Sequence, residues 1–172
     1  MALGGFWLGR GCGVNSLRLI SRLRFLSPRR RLEWYPPFWL MGVKVLDLAE
    51  DWSQARLRLP LTAFSRNMGD AMFGGYQAAL ADPIAALACV KRFPGHAVWT
   101  RAMHIDFMRE GNSDLELRFQ FDAGLMAQIA AELAATGRST PRFEYGFYRA
   151  DGRQCTHVIN TVAIRPAGYS GR

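Results

Sequence analysis

The chain is poor in the residues that most often announce chemistry. It has three cysteines and three histidines in 172 residues. Cys12, Cys89 and Cys155 form an odd, scattered set, without a Cys-x-x-Cys pair or a Cys/His group at zinc-like spacing. That excludes a disulfide framework and gives no reason to expect a metal, and a reducing compartment, the cytoplasm, is the simplest reading. No apolar run approaches the ~20 residues of a membrane span, so no integral membrane segment is expected. The opening "MALGGFWLGRGCGVNS" has no basic stretch ahead of a long apolar one, which argues against a secretory signal. Its glycines lack the Gly-Lys-Ser/Thr of a phosphate loop.

What is present suits a folded domain. Hydrophobic residues make up 49% and aromatics 12% of the chain, enough for one domain with a core and an appendage. The formal charge of +8 is unevenly spread: residues 1–35 hold seven arginines against Glu33 alone, whereas residues 36–172 hold fifteen Lys and Arg against thirteen acids. The body is close to neutral and carries no recognisable nucleic-acid module, so nucleic acid is not an expected partner.

The expected organisation is a flexible segment over residues 1–15, a basic helix and Pro-rich connector over 16–37, a domain over 38–166 and a tail over 167–172. "SLRLISRLRFLSPRRR" can place Leu19, Leu23 and Leu26 on one side of a helix and Arg18, Arg22 and Arg29 on another. A helix docked on the domain with a solvated basic face is the plainest reading. Membrane-surface attachment and a transit peptide are the alternatives. Pro36 and Pro37 are expected to stop any helix in "WYPPFW".

Strand patterns follow. "GVKVLDLA" alternates imperfectly, and "QARLRLPL" alternates cleanly with Ala55, Leu57, Leu59 and Leu61 on one face. The segment from Asn67 through its run to Lys91 is long, Ala-rich and poor in β-branched residues, hence helix. "HAVWTRAMHIDFMRE" reads as a long strand with Trp99, Met103, Ile105 and Phe107 on one face. "DLELRFQF" is the next strand, and residues 123–136 a short helix with Asp122 as N-cap and Gly137 as C-terminal glycine. "RFEYGFYR" and "CTHVINTVAIR", joined through Asp151-Gly152, close the set as a hairpin. Short turns favour antiparallel pairing, and one long apolar helix is best buried by a curved sheet wrapped around it. The expectation is an α+β fold: five to six antiparallel strands around a central helix, with an N-terminal helix and a short extra one.

"NMGDAMFGGYQAALADP", running from Asn67 to Pro83, puts one carboxylate inside an apolar run. Asn67 lies six residues before Phe73-Gly74-Gly75, and Asp82 nine residues after Phe73. This order of elements and these spacings resemble the hotdog-fold thioesterases of the phenylacetate-pathway type, whose motif is Asn, His-Gly-Gly and Ala-Asp. "HIDFMREG" resembles the strand of that family that ends in Phe-x-Arg-x-Gly. The closer resemblance is to an acyl-CoA thioesterase-like branch with Phe-Gly-Gly and Asp-Pro. The motif histidine is Phe73 here, preceded by Met72, so no histidine in this segment can polarise a carbonyl.

The resemblance implies an acyl-CoA thioesterase, with coenzyme A entering only as part of the substrate and no other cofactor. Backbone amides at a helix start can stabilise an oxyanion, and Gly74 and Gly75 would leave that approach clear. Asp82, expected to be buried, would activate water or attack directly; Asn67 would orient the water or the carbonyl. Phe73, Gly74, Met72 and Arg109 would contact the substrate, Arg109 through a CoA phosphate. Asp82 lies about seven residues beyond Gly75, ~10 Å along a helix, so one helix cannot bring both to one carbonyl. The resemblance resolves this by pairing subunits, as a homodimer or a dimer of dimers. Three rival readings stand beside this one: Asp82-Pro83 as the cap of a restarted helix, a non-catalytic acyl or lipid-binding module, and an enoyl-CoA hydratase or dehydratase, which would need a helix histidine.

Overall fold

The computed structural model describes residues 27–169. The segment expected to be flexible and most of the leading basic helix lie outside them.

The described chain opens with two short helices, α1 (Pro28–Glu33) and α2 (Pro36–Leu40). The second corrects the expectation for "WYPPFW". The preceding helix α1 does end before the prolines, at Glu33, but Pro36 and Pro37 then fall in the first turn of α2, where a missing N–H costs nothing, and so they start a new helix. Six strands follow: β1 (Lys44–Leu48), β2 (Gln54–Leu59), β3 (His96–Phe107), β4 (Leu115–Gln120), β5 (Arg142–Tyr148) and β6 (Gln154–Pro166). The long helix α3 (Gly74–Arg92) separates β2 from β3, and α4 (Ala123–Thr136) separates β4 from β5. All strand pairs are antiparallel, in the order β1-β2-β4-β5-β6-β3. This is the expected α+β architecture.

Two irregularities account for sequence patterns that were not clean. The register of β1 slips between Val45 and Asp47, which explains its imperfect alternation. In β3 the register slips between Thr100 and Ala102. Val98 and Thr100 face Ile164 and Val162, while Met103 and Ile105 face Asn160 and Val158. Trp99 therefore leaves the face of Met103, Ile105 and Phe107 and stacks on Tyr169, with ring centroids 5.8 Å apart. The extra residue of a bulge reverses a period-two pattern, and the sequence carried no mark of it.

The core lies between the sheet and α3. Gln77, Leu80, Ala81, Ile84, Ala85 and Ala88 are buried at helical spacing along α3. They meet Leu57, Leu59, Leu117, Phe147, Val158 and Val162 from the strands. Where β4 and β5 part after their short paired stretch of Glu116–Arg118, Phe119, Phe121, Phe143 and Tyr145 fill the gap edge to face or tilted, with centroids 5.1–6.2 Å apart. Each such pair adds ~0.5–1.5 kcal/mol beyond its area. Helix α4 is capped as expected: the Asp122 carboxylate accepts from Leu125 N–H at 2.8 Å, and Gly137 closes it at φ 67°.

Candidate functional site

Helix α3 begins bare. Its N-cap residue is Phe73, which offers no side-chain acceptor; Tyr76 N–H donates to Phe73 C=O at 3.0 Å, so the amides of Gly74 and Gly75 are the ones left for solvent or a ligand. The segment leading in is held firmly. Ser65 C=O accepts from Phe73 N–H at 2.7 Å, and Gly111 C=O accepts from Met72 N–H at 2.9 Å. The Asn67 side chain bends the loop by accepting from the N–H groups of Gly69 at 2.9 Å and Ala71 at 3.1 Å. Its oxygen is thereby committed to an Asx-type turn.

A cavity of about 280 Å³ opens beside this helix start, lined in part by Asn67, Met72, Gly74, Gln77, Phe107 and Arg109. Four of the residues singled out from the sequence thus converge: Asn67, Met72, Gly74 and Arg109. Met72 is buried and belongs to the core as much as to the cavity. Arg109 is exposed at the end of β3, its guanidinium donating to Gln154 C=O at 3.0 Å.

Phe73, Gly75 and Asp82 do not line that cavity. The approach to the glycine pair is also not open, as had been expected. A Cβ on Gly74 would come within 2.9 Å of the Phe107 ring, and one on Gly75 would overlap the Phe73 ring. The absence of a side chain at each position is what lets those rings lie against the helix. Both phenylalanines are half-exposed, so an entering group would have to move them aside.

Asp82 is the second correction: the chain places it at the surface, not in the core. The reason is angular. Seven residues make nearly two helical turns, so Asp82 shares the outward face of Gly75 and Ala79, while Ala81 and Ile84 turn inward. Nor is it the cap of a restarted helix, because α3 runs unbroken through Pro83. What is held in place is the Asp82 backbone. Its carbonyl accepts from Thr100 Oγ1 at 2.8 Å and from Asn160 Nδ2 at 3.0 Å. The neighbouring Ala81 carbonyl accepts from Tyr145 Oη at 2.8 Å, and that oxygen accepts from Asn160 Nδ2 at 2.9 Å. Burial pushes the Tyr145 hydroxyl above its usual range, opposed by the Asn160 hydrogen bond and aided by the nearby Asp82 charge. Asp82 therefore projects from a rigid stretch of helix pinned to β3, β5 and β6.

Sequence reading missed Gln77, Thr156 and this clamp. Gln77 is buried, and its side-chain oxygen accepts from Thr156 Oγ1 at 2.5 Å. A signal existed: Gln77 is the one polar residue on the inward row of α3. Thr156, Asn160, Tyr145 and Thr100 come from distant strands, and nothing in the linear order ties them to the helix. No cluster of three His, Cys, Asp or Glu side chains among the described residues is arranged to hold a metal ion.

The chain belongs to the family described as Domain of unknown function (DUF4442). That match spans residues 29–164. None of the curated proteins matches the DUF4442 chain. Among solved structures, it resembles a Pseudomonas aeruginosa protein of unknown function described as "Probable Thioesterase", at 20% identity and TM-score 0.70, over 80% of this chain and 92% of that one. A Haemophilus influenzae thioesterase matches at 14% identity and TM-score 0.64, over 83% and 91%. The E. coli PaaI protein from the phenylacetic acid degradation operon matches at 19% identity and TM-score 0.60, over 89% and 95%. The DUF4442 chain has the hotdog fold, as the sequence resemblance implied.

Proposed function

We propose that this protein is an acyl-CoA thioesterase whose active site forms between two copies of the chain. The observation that carries the reading is the pairing of two exposed features on one face of α3: an uncapped first turn and, two turns later, the Asp82 carboxylate. The uncapped amides of Gly74 and Gly75, with the positive end of the helix dipole behind them, suit a carbonyl oxygen that gains negative charge. Asp82 suits a general base that removes a proton from water, or a nucleophile that attacks the carbonyl carbon and expels the CoA thiolate. The same face carries the small side chains of Ala79 and Ala86, which permit a second helix to approach closely.

Strand β3 supports the pairing. It is twelve residues long, stands at the edge of the sheet and has neighbours on one side only. A long free edge is a surface that proteins normally cover. Antiparallel pairing of two such edges about a two-fold axis would set the α3 helices side by side in opposite directions, so that the start of one faces Asp82 of the other. The names of the structural relatives agree with thioester hydrolysis.

The test is free-thiol release from a panel of acyl-CoAs by the wild-type protein and by Asp82→Asn. The variant should lose at least about a hundredfold in kcat with unchanged melting. Equal turnover in the two would remove the mechanism. A non-catalytic acyl-binding role is the second reading, favoured by the Phe73 and Phe107 rings over the glycine pair. It predicts a retained acyl ligand in native mass spectrometry and no thiol release.

A further inference from the structure

We infer that the α1–α2 corner is a docking surface for an anionic lipid bilayer, independent of the thioesterase reading. Three large apolar side chains stand out there: Trp34 at 51% exposure, Trp39 at 67% and Leu40 at 72%. The two indoles flank a common hollow of about 290 Å³. An exposed apolar patch on a folded domain signals contact with something. Tryptophan in particular favours the boundary between water and lipid, where its ring is buried and its N–H stays wet.

Charge decides between occupants. Arg30 and Arg31 lie in the last turn of α1, four and three residues before Trp34. The nearby acids are already engaged. Asp47 binds the Arg29 guanidinium at 3.2 Å and the Gln54 amide at 3.1 Å, and Glu33 accepts from Val45 N–H at 2.9 Å. Among the described residues, neither Arg30 nor Arg31 has a carboxylate partner within ion-pair reach. A second copy of the same corner would gather like charges, Arg30 and Arg31 from both chains. A surface of anionic headgroups neutralises these arginines while accepting the indoles at the level of the headgroups.

The experiment is flotation of the full chain with vesicles of phosphatidylcholine alone and of phosphatidylcholine with 30% phosphatidylserine, at physiological ionic strength. The protein should float with the anionic vesicles and not with the neutral ones. At about 1 kcal/mol per basic residue near such a surface, the double variant Arg30→Gln/Arg31→Gln should bind roughly thirtyfold more weakly. Trp34→Ala/Trp39→Ala should lose at least tenfold, with thermal melting as the check that both remain folded. Three results would overturn the inference: equal flotation on both vesicle types, anionic binding unchanged in the tryptophan variant, or no flotation together with a self-association that this variant abolishes. The second would make the patch a seat for residues 1–26, and the third an interface between copies.

Discussion

A shared active site makes a prediction that a site within one chain does not. The rise of α3 puts Asp82 ~10 Å beyond Gly75 along the axis, while a water between a carboxylate and an amide-bound carbonyl requires contacts of ~3 Å on each side. Two inactive variants should therefore rescue one another. Gly75→Val places a side chain where the Phe73 ring already lies, blocking the helix start but leaving Asp82 untouched. Asp82→Asn removes the base and leaves the helix start intact. Each alone should lose at least a hundredfold, about 2.7 kcal/mol of transition-state stabilisation. After unfolding and refolding as an equal mixture, half the dimers are mixed and one of the two sites in each is complete. About a quarter of wild-type activity should return on these statistics of random pairing. Stability should be little changed in Asp82→Asn, since the side chain is exposed and makes no hydrogen bond among the described residues, while the main-chain carbonyl keeps its partners. The assay is thiol release before and after mixing. Activity that stays at the level of the single variants, with dimers confirmed by light scattering, would refute the shared site.

Other consequences are simpler to reach. Tyr145→Phe removes the hydroxyl that bonds Ala81 C=O and accepts from Asn160; a loss of about 1–2 kcal/mol should lower Tm by roughly 2–8 °C for a chain of this size. Gln77→Leu leaves the buried Thr156 hydroxyl without its acceptor and should cost about 1–3 kcal/mol in urea titrations. The Asp151 carboxyl is lowered to about 2, chiefly by its hydrogen bond from Arg149 and then by that from Arg153 N–H. A depressed carboxylate stabilises above its unfolded value, and that contribution is lost as pH falls through the folded one. The acid limb of a stability–pH profile between about 4 and 2 should therefore be shallower in Asp151→Asn. Cys89 is pushed up to about 12 by burial, and Cys155 is raised by burial as well. Both should stay unmodified by iodoacetamide at pH 8 until the protein is denatured, as read by peptide mass spectrometry.

What was legible in the sequence is what depends on local periodicity. The α3 row from Gln77 to Ala88 repeats at helical spacing, β2 and β4 alternate without interruption, and Asp122 and Gly137 mark both ends of α4. Each is a short-range preference that the fold had no reason to override. The failures share a different cause. Pro36-Pro37 carries two local preferences, against a helix interior and for a first turn, and the second decides the segment. The bulge at Arg101 is a three-dimensional event in β3 that leaves no trace in composition, so Trp99 was assigned to the wrong face.

The site was legible only in part, for a reason that bears on its mechanism. The motif spacing picked out Asn67, Gly74 and Asp82 correctly as residues of one loop and helix, yet it could not say which way each would face. Helical geometry turns Gly75 and Asp82 outward together, and the chain then commits three side chains from separate strands to holding the helix at that point. Tyr145, Asn160 and Thr100 take the carbonyls of Ala81 and Asp82, next to a proline that has already removed one helical bond. In a single chain this fixation already gives the buried Tyr145 and Asn160 side chains their hydrogen-bond partners. On the proposed function it has a further use, because a carboxylate that is to serve a neighbour's carbonyl must be held to within a fraction of an ångström. Under the proposed function, the pinned helix and the edge of β3 would both meet one partner, a second copy of the chain, and the mixing experiment tests that pairing directly.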